Sequence, residues 1–333
     1  MSFYENEAAL INKRDEWFER LQSVFDGTYY DPKGFRIFGI WPQVTKHSYC
    51  EEPEEWVDEG LEDIAANHTR EIFDENVFKP PVLQIWDYGV HYIDRIFGAN
   101  VLENHGQLYT EYINAPVGSL EEPDLDNNDT FRFSLRAAKH FASSGDKFTL
   151  FALPVIASPL NIAVNLYGEE FLVSCIDEPE AARKDLETIA RVQIKVHETF
   201  RRIIPAKQLQ LCVGHARIQP PGYGQICGCS THLVSGQLYG ELISDLDDAV
   251  LGVYEHGGMI HLCGGHTQHI EVFRKMPHLS SVQLNDRAAG DLKQYFEGLR
   301  EDQIIYVHPC PEMPLSTALE ITQGRRLVIW TAE

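Results

Sequence analysis

Positive charge is scarce in this chain of 333 residues: 28 Lys and Arg stand against 50 Asp and Glu, a formal net charge of −22. Nucleic acids and anionic bilayers are held by clustered Lys and Arg, so neither a nucleic acid nor a membrane surface is expected as a partner. A basic protein partner is permitted. An unbroken apolar run is also missing. The longest one, Phe148 to Tyr167, is interrupted by Pro154, Ser158, Pro159, Asn161 and Asn165, residues that make a bilayer span an unsuitable reading. The start, Met-Ser-Phe-Tyr-Glu-Asn-Glu, is polar and acidic, so no secretory leader is expected. Neither Gly-x-x-x-x-Gly-Lys nor Gly-x-Gly-x-x-Gly occurs, which leaves a nucleotide cofactor without a signal. No internal repeat and no linker divides the chain, and 1–333 is read as a single domain. The seven cysteines are odd in number and scattered, which suits reduced thiols and metal ligation in the cytoplasm better than a disulfide framework.

What is present is a succession of short Val/Ile/Leu-rich runs separated by helical patterns. Strands are expected over 35–41, 82–90, 148–156, 208–214, 257–262, 280–284, 304–307 and 326–330. Helices are expected over 5–25, 178–202, 235–255, 290–299 and 315–323, from apolar residues at helical spacing. The acidic stretch from Glu51 to Glu75 reads as a solvated helix face. The Gly/Pro-rich stretch from His215 to Thr231 reads as a loop. Continuous rather than alternating apolar strands pair in parallel, buried on both faces. Eight such units predict an α/β fold, a (β/α)₈ TIM barrel, with 1–80 supplying an N-terminal helical extension and the first strand.

In that fold, chemistry gathers at the carboxyl ends of strands. The stretch Met259 to His269 is the focus, because residues i and i+2 of a strand share a face and His261 and Cys263 therefore point the same way. A nitrogen and a sulfur donor on rigid backbone, with two glycines above them, begin a soft metal site. Ordinary burial of both residues is the blander alternative. By strand position Trp41, Asp87, Tyr88 and His215 are candidate substrate-binding residues, and Asp286 is a candidate proton-handling residue or a helix N-cap. Cys227-Gly-Cys229 reads as a pair of ordinary loop thiols, with lid or substrate contacts as the sharper role. His266 and His269 read as solvated or capping residues.

The order of these elements resembles the uroporphyrinogen decarboxylase superfamily, and within it the zinc-dependent corrinoid methyltransferases. The resemblance runs from about Glu178 to the end. It rests on Asp177-Glu-Pro-Glu opening a helix, the Ser-rich segment Ser230 to Tyr239, His261-Leu-Cys-Gly at a strand end, Asp286 after the next strand, and His308-Pro-Cys-Pro after the one following. The Arg-Gln-Ala-Gly-Arg segment of true uroporphyrinogen decarboxylases has no counterpart in Phe35-Arg-Ile-Phe-Gly-Ile-Trp. The methyltransferase branch implies zinc on His261, Cys263 and a later cysteine. The last strand carries none, so Cys310 is the thiol that would complete the set, with His308, Asp286, Cys229 and Glu333 as substitutes. The resemblance further implies methyl transfer between a small methylated substrate or thiol and a corrinoid. Because no Asp-x-His-x-x-Gly occurs, that corrinoid would arrive on a separate partner protein. A metal-free lyase of the same superfamily and a non-catalytic binding subunit are the alternatives, and a homodimer is one expected assembly.

Overall fold

In a computed structural model, the described residues are 4–29, 31–39, 45–154, 156–211, 214 and 217–331. Their strands are β1 (Phe35–Phe38), β2 (Val82–Gln84), β3 (Val101–Asn104), β4 (Gln107–Thr110), β5 (Leu150–Ala152), β6 (Leu209–Gln210), β7 (Gly224–Cys227), β8 (Gly258–Cys263), β9 (Leu279–Asn285), β10 (Ile304–Val307) and β11 (Leu327–Thr331). Six of them form one parallel sheet in the order β1-β11-β10-β9-β8-β7. Three more form a second parallel sheet, β2-β5-β6. Isolated parallel bridges, Ile37↔Phe78 and Ala157↔Cys227, bring the two sheets together. The pair β3 and β4 is a separate antiparallel hairpin. The fold is thus mixed α/β, with parallel pairing as the apolar runs require.

Helices alternate with the strands and cover them. The helix Pro179–Ile203 turns Leu186, Ile189, Val192, Val196 and Phe200 inward, a 3.6-residue stripe that buries against the sheet. The helix Glu7–Phe25 lays Trp17 onto Phe78, stacked at 5.5 Å between ring centroids, and so ties the N-terminal extension to the strands. Strands β8, β9 and β10 are buried along almost their whole length, which is why their sequences show no alternation.

Several elements differ from expectation, among them the β3–β4 hairpin and the helices Pro159–Tyr167 and Glu169–Asp177. The Gly/Pro-rich stretch after His215 contains β7, a fully buried strand of Gly, Gln, Ile and Cys that carries little apolar signal of its own. Its place is set by neighbours: Gly257 turns the chain with φ +68°, and a Cβ on Gly258 would meet the Gly224 carbonyl oxygen at 2.2 Å. Only glycines allow β7 and β8 to start so close together. The expected helix over 235–255 is two, Gly236–Leu242 and Ser244–Leu251. Between β4 and β5 a fifteen-residue helix, Asp129–Ser143, begins at Asn128, whose side chain accepts from the Phe131 amide.

Candidate metal centre

The last residue of β7 lies directly beside the fourth residue of β8: Cys227 is in register with His261. The chain then leaves β7 through Gly228, whose amide donates to the His261 carbonyl at 2.8 Å, and this bond folds Cys229 back over the strand end. The sulfurs of Cys227 and Cys229 stand 3.5 Å apart. One ligand atom from each of Cys227, Cys229 and His261 falls within 4.8 Å of the others. Cys263, two residues further along β8, adjoins this group. Its sulfur lies 3.0 Å from His261 Nε2, and the neighbouring Cys229 thiol lowers its pKa. Tetrahedral zinc with thiolates at about 2.3 Å requires sulfurs roughly 3.8 Å apart. The Cys227 and Cys229 sulfurs, 3.5 Å apart, are already near that spacing, with His261 beside them.

His261 and Cys227 are buried, with 3% and 2% exposure, whereas Cys229 and Cys263 are half-buried. The three thiols form one proton-sharing set. Hydrogen bonding from Cys229 holds Cys227 down to about 6 against the opposing effect of burial. The same donor, helped by His261, holds Cys263 down to about 3. Cys229, bonded to Cys227 and Cys263 and desolvated, is correspondingly held protonated, well above the usual thiol range. Cys227 and Cys263 are thus held toward the thiolate form that a cation binds, while Cys229 keeps its proton until a cation displaces it.

His261 itself is oriented from β9. Its partner in register is Gln283, and Nδ1 donates to the Gln283 amide oxygen. Beyond Cys263 a polar row continues across the strand ends: Asn285 Nδ2 lies 4.0 Å from the Cys263 sulfur, and Asn285 Oδ1 accepts from His308 Nδ1 at 2.7 Å. His308 packs on Trp330 at 3.8 Å between centroids. Neighbouring histidines are used by the fold: His266 donates through Nε2 to the Cys263 carbonyl at 2.8 Å and meets Thr231 Oγ1 at 3.0 Å through Nδ1, and burial pulls it down to about 4. His269 Nε2 donates to the Thr231 carbonyl at 2.8 Å.

The residues singled out in the sequence divide accordingly. His261 and Cys263 come together as expected. Cys310 is outside the group; its thiol points to the Asp286 carbonyl at 4.0 Å. Asp286 is exposed, in a left-handed backbone conformation with φ 47°, and Asn285 Nδ2 is 3.4 Å from its carboxylate. It occupies the N-cap position of the helix Arg287–Gly290 but makes no side-chain cap bond, and the acceptor for His261 Nδ1 is Gln283. Asp87 is also exposed and accepts from Ser48 Oγ at 2.9 Å and from the Cys50 thiol at 3.5 Å. Tyr88 is half-buried, and desolvation raises its phenol. Trp41, His215 and Glu333 lie outside the described residues. The sequence reading gives Cys227 no ligand role and Cys229 only that of a substitute, yet both lie beside His261. The Cys-x-Cys spacing was the available signal, but only the pairing of β7 with β8 turns two loop thiols into neighbours of His261.

The molecule is thus a mixed α/β protein whose parallel sheet ends in a thiol–imidazole cluster. No family model matches the chain, and no curated protein does. Among solved structures it is similar in fold to a methyltransferase from Methanosarcina mazei, with a TM-score of 0.64 and 12% identity over 94% of this chain and 92% of that one. Among the described residues no helix is long and apolar enough to cross a membrane.

Proposed function

We propose that the chain is a zinc-dependent methyltransferase of the uroporphyrinogen decarboxylase superfamily, its strands closing into a (β/α)₈ barrel with helices added before β1. The observation that carries this reading is the convergence of Cys227, Cys229 and His261 at the ends of two paired strands, with Cys263 beside His261. The bridges between the two sheets support closure, and the name of the similar structure supports the reaction class. Three thiols and an imidazole favour zinc over magnesium or calcium, which take oxygen donors. Zinc held by the triad Cys227, Cys229 and His261 would keep a fourth position open, where it would act as a Lewis acid that keeps a bound thiol deprotonated at neutral pH.

Cys227 and His261 are fixed on buried backbone and serve as permanent donors. Cys263 is half-buried and is followed by Gly264-Gly265, around which a Cβ would meet only Arg287 Nη2 at 3.8 Å, or nothing. This open side is where a small methylated substrate or thiol enters. Asp286 is the group we assign to proton handling, with Asp87, Tyr88, Trp41 and His215 contacting substrate. The corrinoid that exchanges the methyl group is carried by a separate protein. Neither role takes its chemistry from the barrel itself, which hosts many activities.

The test combines zinc content with turnover. Purified protein should hold one zinc per chain, and with free methylcobalamin and a small thiol it should release cob(I)alamin, seen by its absorbance. Cys227→Ser and Cys229→Ser should weaken zinc binding on the order of 100-fold or more, because each removes a donor. Cys310→Ser should leave zinc content unchanged. A wild-type protein without zinc, or one whose zinc depends on Cys310 but not on Cys227, would overturn this ligand set.

A further inference from the structure

Gln283 is an unusual residue to find in the middle of a buried strand. It is 1% exposed, it faces His261 across the β8–β9 register, and its amide oxygen takes the proton of His261 Nδ1. Its amide nitrogen is buried with no hydrogen-bond partner among the described residues. Two other buried glutamines, Gln303 just before β10 and Gln210 in β6, are satisfied at both ends. Gln303 donates to the Phe273 and Leu279 carbonyls at 2.9 Å and accepts from the Arg300 amide at 3.0 Å. Gln210 donates to the Gln219 carbonyl at 2.9 Å and accepts from the Gln219 amide at 3.1 Å. Those two hold backbone in place. Gln283 leaves half of its hydrogen-bonding capacity unused, at a cost of about 1–3 kcal/mol for a buried orphan, and makes one bond, to the imidazole of the thiol cluster.

An amide oxygen accepts and never donates. Facing it, His261 must carry its proton on Nδ1, so the lone pair of Nε2 is directed at Cys263 and the neighbouring thiols. We infer that Gln283 is a positioning residue that fixes His261 in its metal-binding tautomer, and that a neutral amide stands there because the site already gathers three thiols. A carboxylate would hold the same tautomer. It would also add a buried negative charge beside as many as three thiolates, in a protein of net charge −22. The amide orients the ring and leaves the electrophilicity of a bound cation undiminished.

This inference rests on the metal reading above, so its test needs a measurement that does not depend on metal. Nitrogen-15 NMR of the histidine side chains in metal-free protein reports the tautomer directly. Wild type should show His261 protonated on Nδ1 and not on Nε2. Gln283→Leu should lose that preference, and Gln283→Glu should restore an Nδ1–H. In the second measurement, zinc competition against a chromophoric chelator, Gln283→Leu should bind 10- to 100-fold more weakly, the range seen when outer-shell partners of metal-binding histidines are removed. Gln283→Glu, which keeps the acceptor, should stay within a few-fold of wild type. A wild-type His261 protonated on Nε2, or equal zinc affinity in wild type and Gln283→Leu, would overturn the inference. A wild type that fails to bind zinc but shows the Nδ1–H tautomer, lost in Gln283→Leu, sinks the metal reading and leaves the positioning role standing.

Discussion

At the scale of single residues, Asp286 combines two costs that no contact within the fold explains. Its φ of 47° lies in the region that favours glycine, and its carboxylate caps no helix amide. Backbone of this kind costs on the order of 1–3 kcal/mol and persists where something else requires the side chain. Replacing Asp286 with Gly should therefore raise stability by about 1 kcal/mol, measured as a higher urea midpoint, because glycine adopts the conformation without strain. If the carboxylate handles protons in turnover, the same variant should lose activity while still binding zinc. Greater stability with full activity would make the strain a local accident and remove Asp286 from the reaction. Cys227 and Cys229 pose the converse case: neither is strained, and both owe their chemistry wholly to what lies 3–5 Å away.

At the scale of elements, the decisive contact is the parallel pairing of β7 with β8. It begins at Gly224↔Gly258 and reaches Cys227↔His261 three residues later, so the spacing at its start sets the geometry at its end. Gly258→Ala would drive a Cβ to 2.2 Å from the Gly224 carbonyl oxygen, a clash with backbone that cannot rotate away. A stability loss of at least about 1–3 kcal/mol is expected from such overpacking. The consequence at the site should be larger than the stability loss suggests, because β7 must shift and take Cys227 and Cys229 with it. Zinc stoichiometry should fall in Gly258→Ala even where circular dichroism shows a folded protein. An unchanged zinc content would mean that the two thiols are held by the loop after β7 rather than by the strand.

At the scale of the whole molecule, buried ionisable groups away from the site set how the fold responds to acid. His197, on the helix Pro179–Ile203, is fully buried and bonded through Nδ1 to Tyr254 Oη at 2.8 Å. Desolvation, reinforced by Arg201, pulls it from 6.5 down to about 3, so it stays neutral when folded and titrates normally when unfolded. A base lowered in this way contributes stability that is complete above about 6.5 and declines as pH falls toward 3, since the unfolded chain binds the extra proton. The slope is roughly 1.4 kcal/mol per pH unit for one proton. Urea midpoints measured at pH 7 and pH 5 should therefore fall more steeply for wild type than for His197→Gln. Parallel pH profiles would show that His197 reaches water in the folded state.

The sequence by itself determined the periodic apolar runs, and with them the parallel strands and the long amphipathic helices, because burial on both faces leaves a local signature in residue type. It also brought His261 and Cys263 together, since alternation along one strand is a property of the backbone. It determined the excess of acid as well. Tertiary structure alone decided the rest of the centre. Strand β7 has only four residues, two of them neither apolar nor β-branched, and it is recognisable only by what it pairs with. Cys227, Cys229 and Gln283 approach His261 from two different neighbouring strands, across 22 to 34 positions of sequence, and no local pattern encodes which strands will be adjacent. Sheet order brought in Cys227 and Cys229, where order along the chain had pointed to Cys310. Neighbour relations in a parallel sheet arise from packing the whole chain, so the ligand set is written there and not in any one segment.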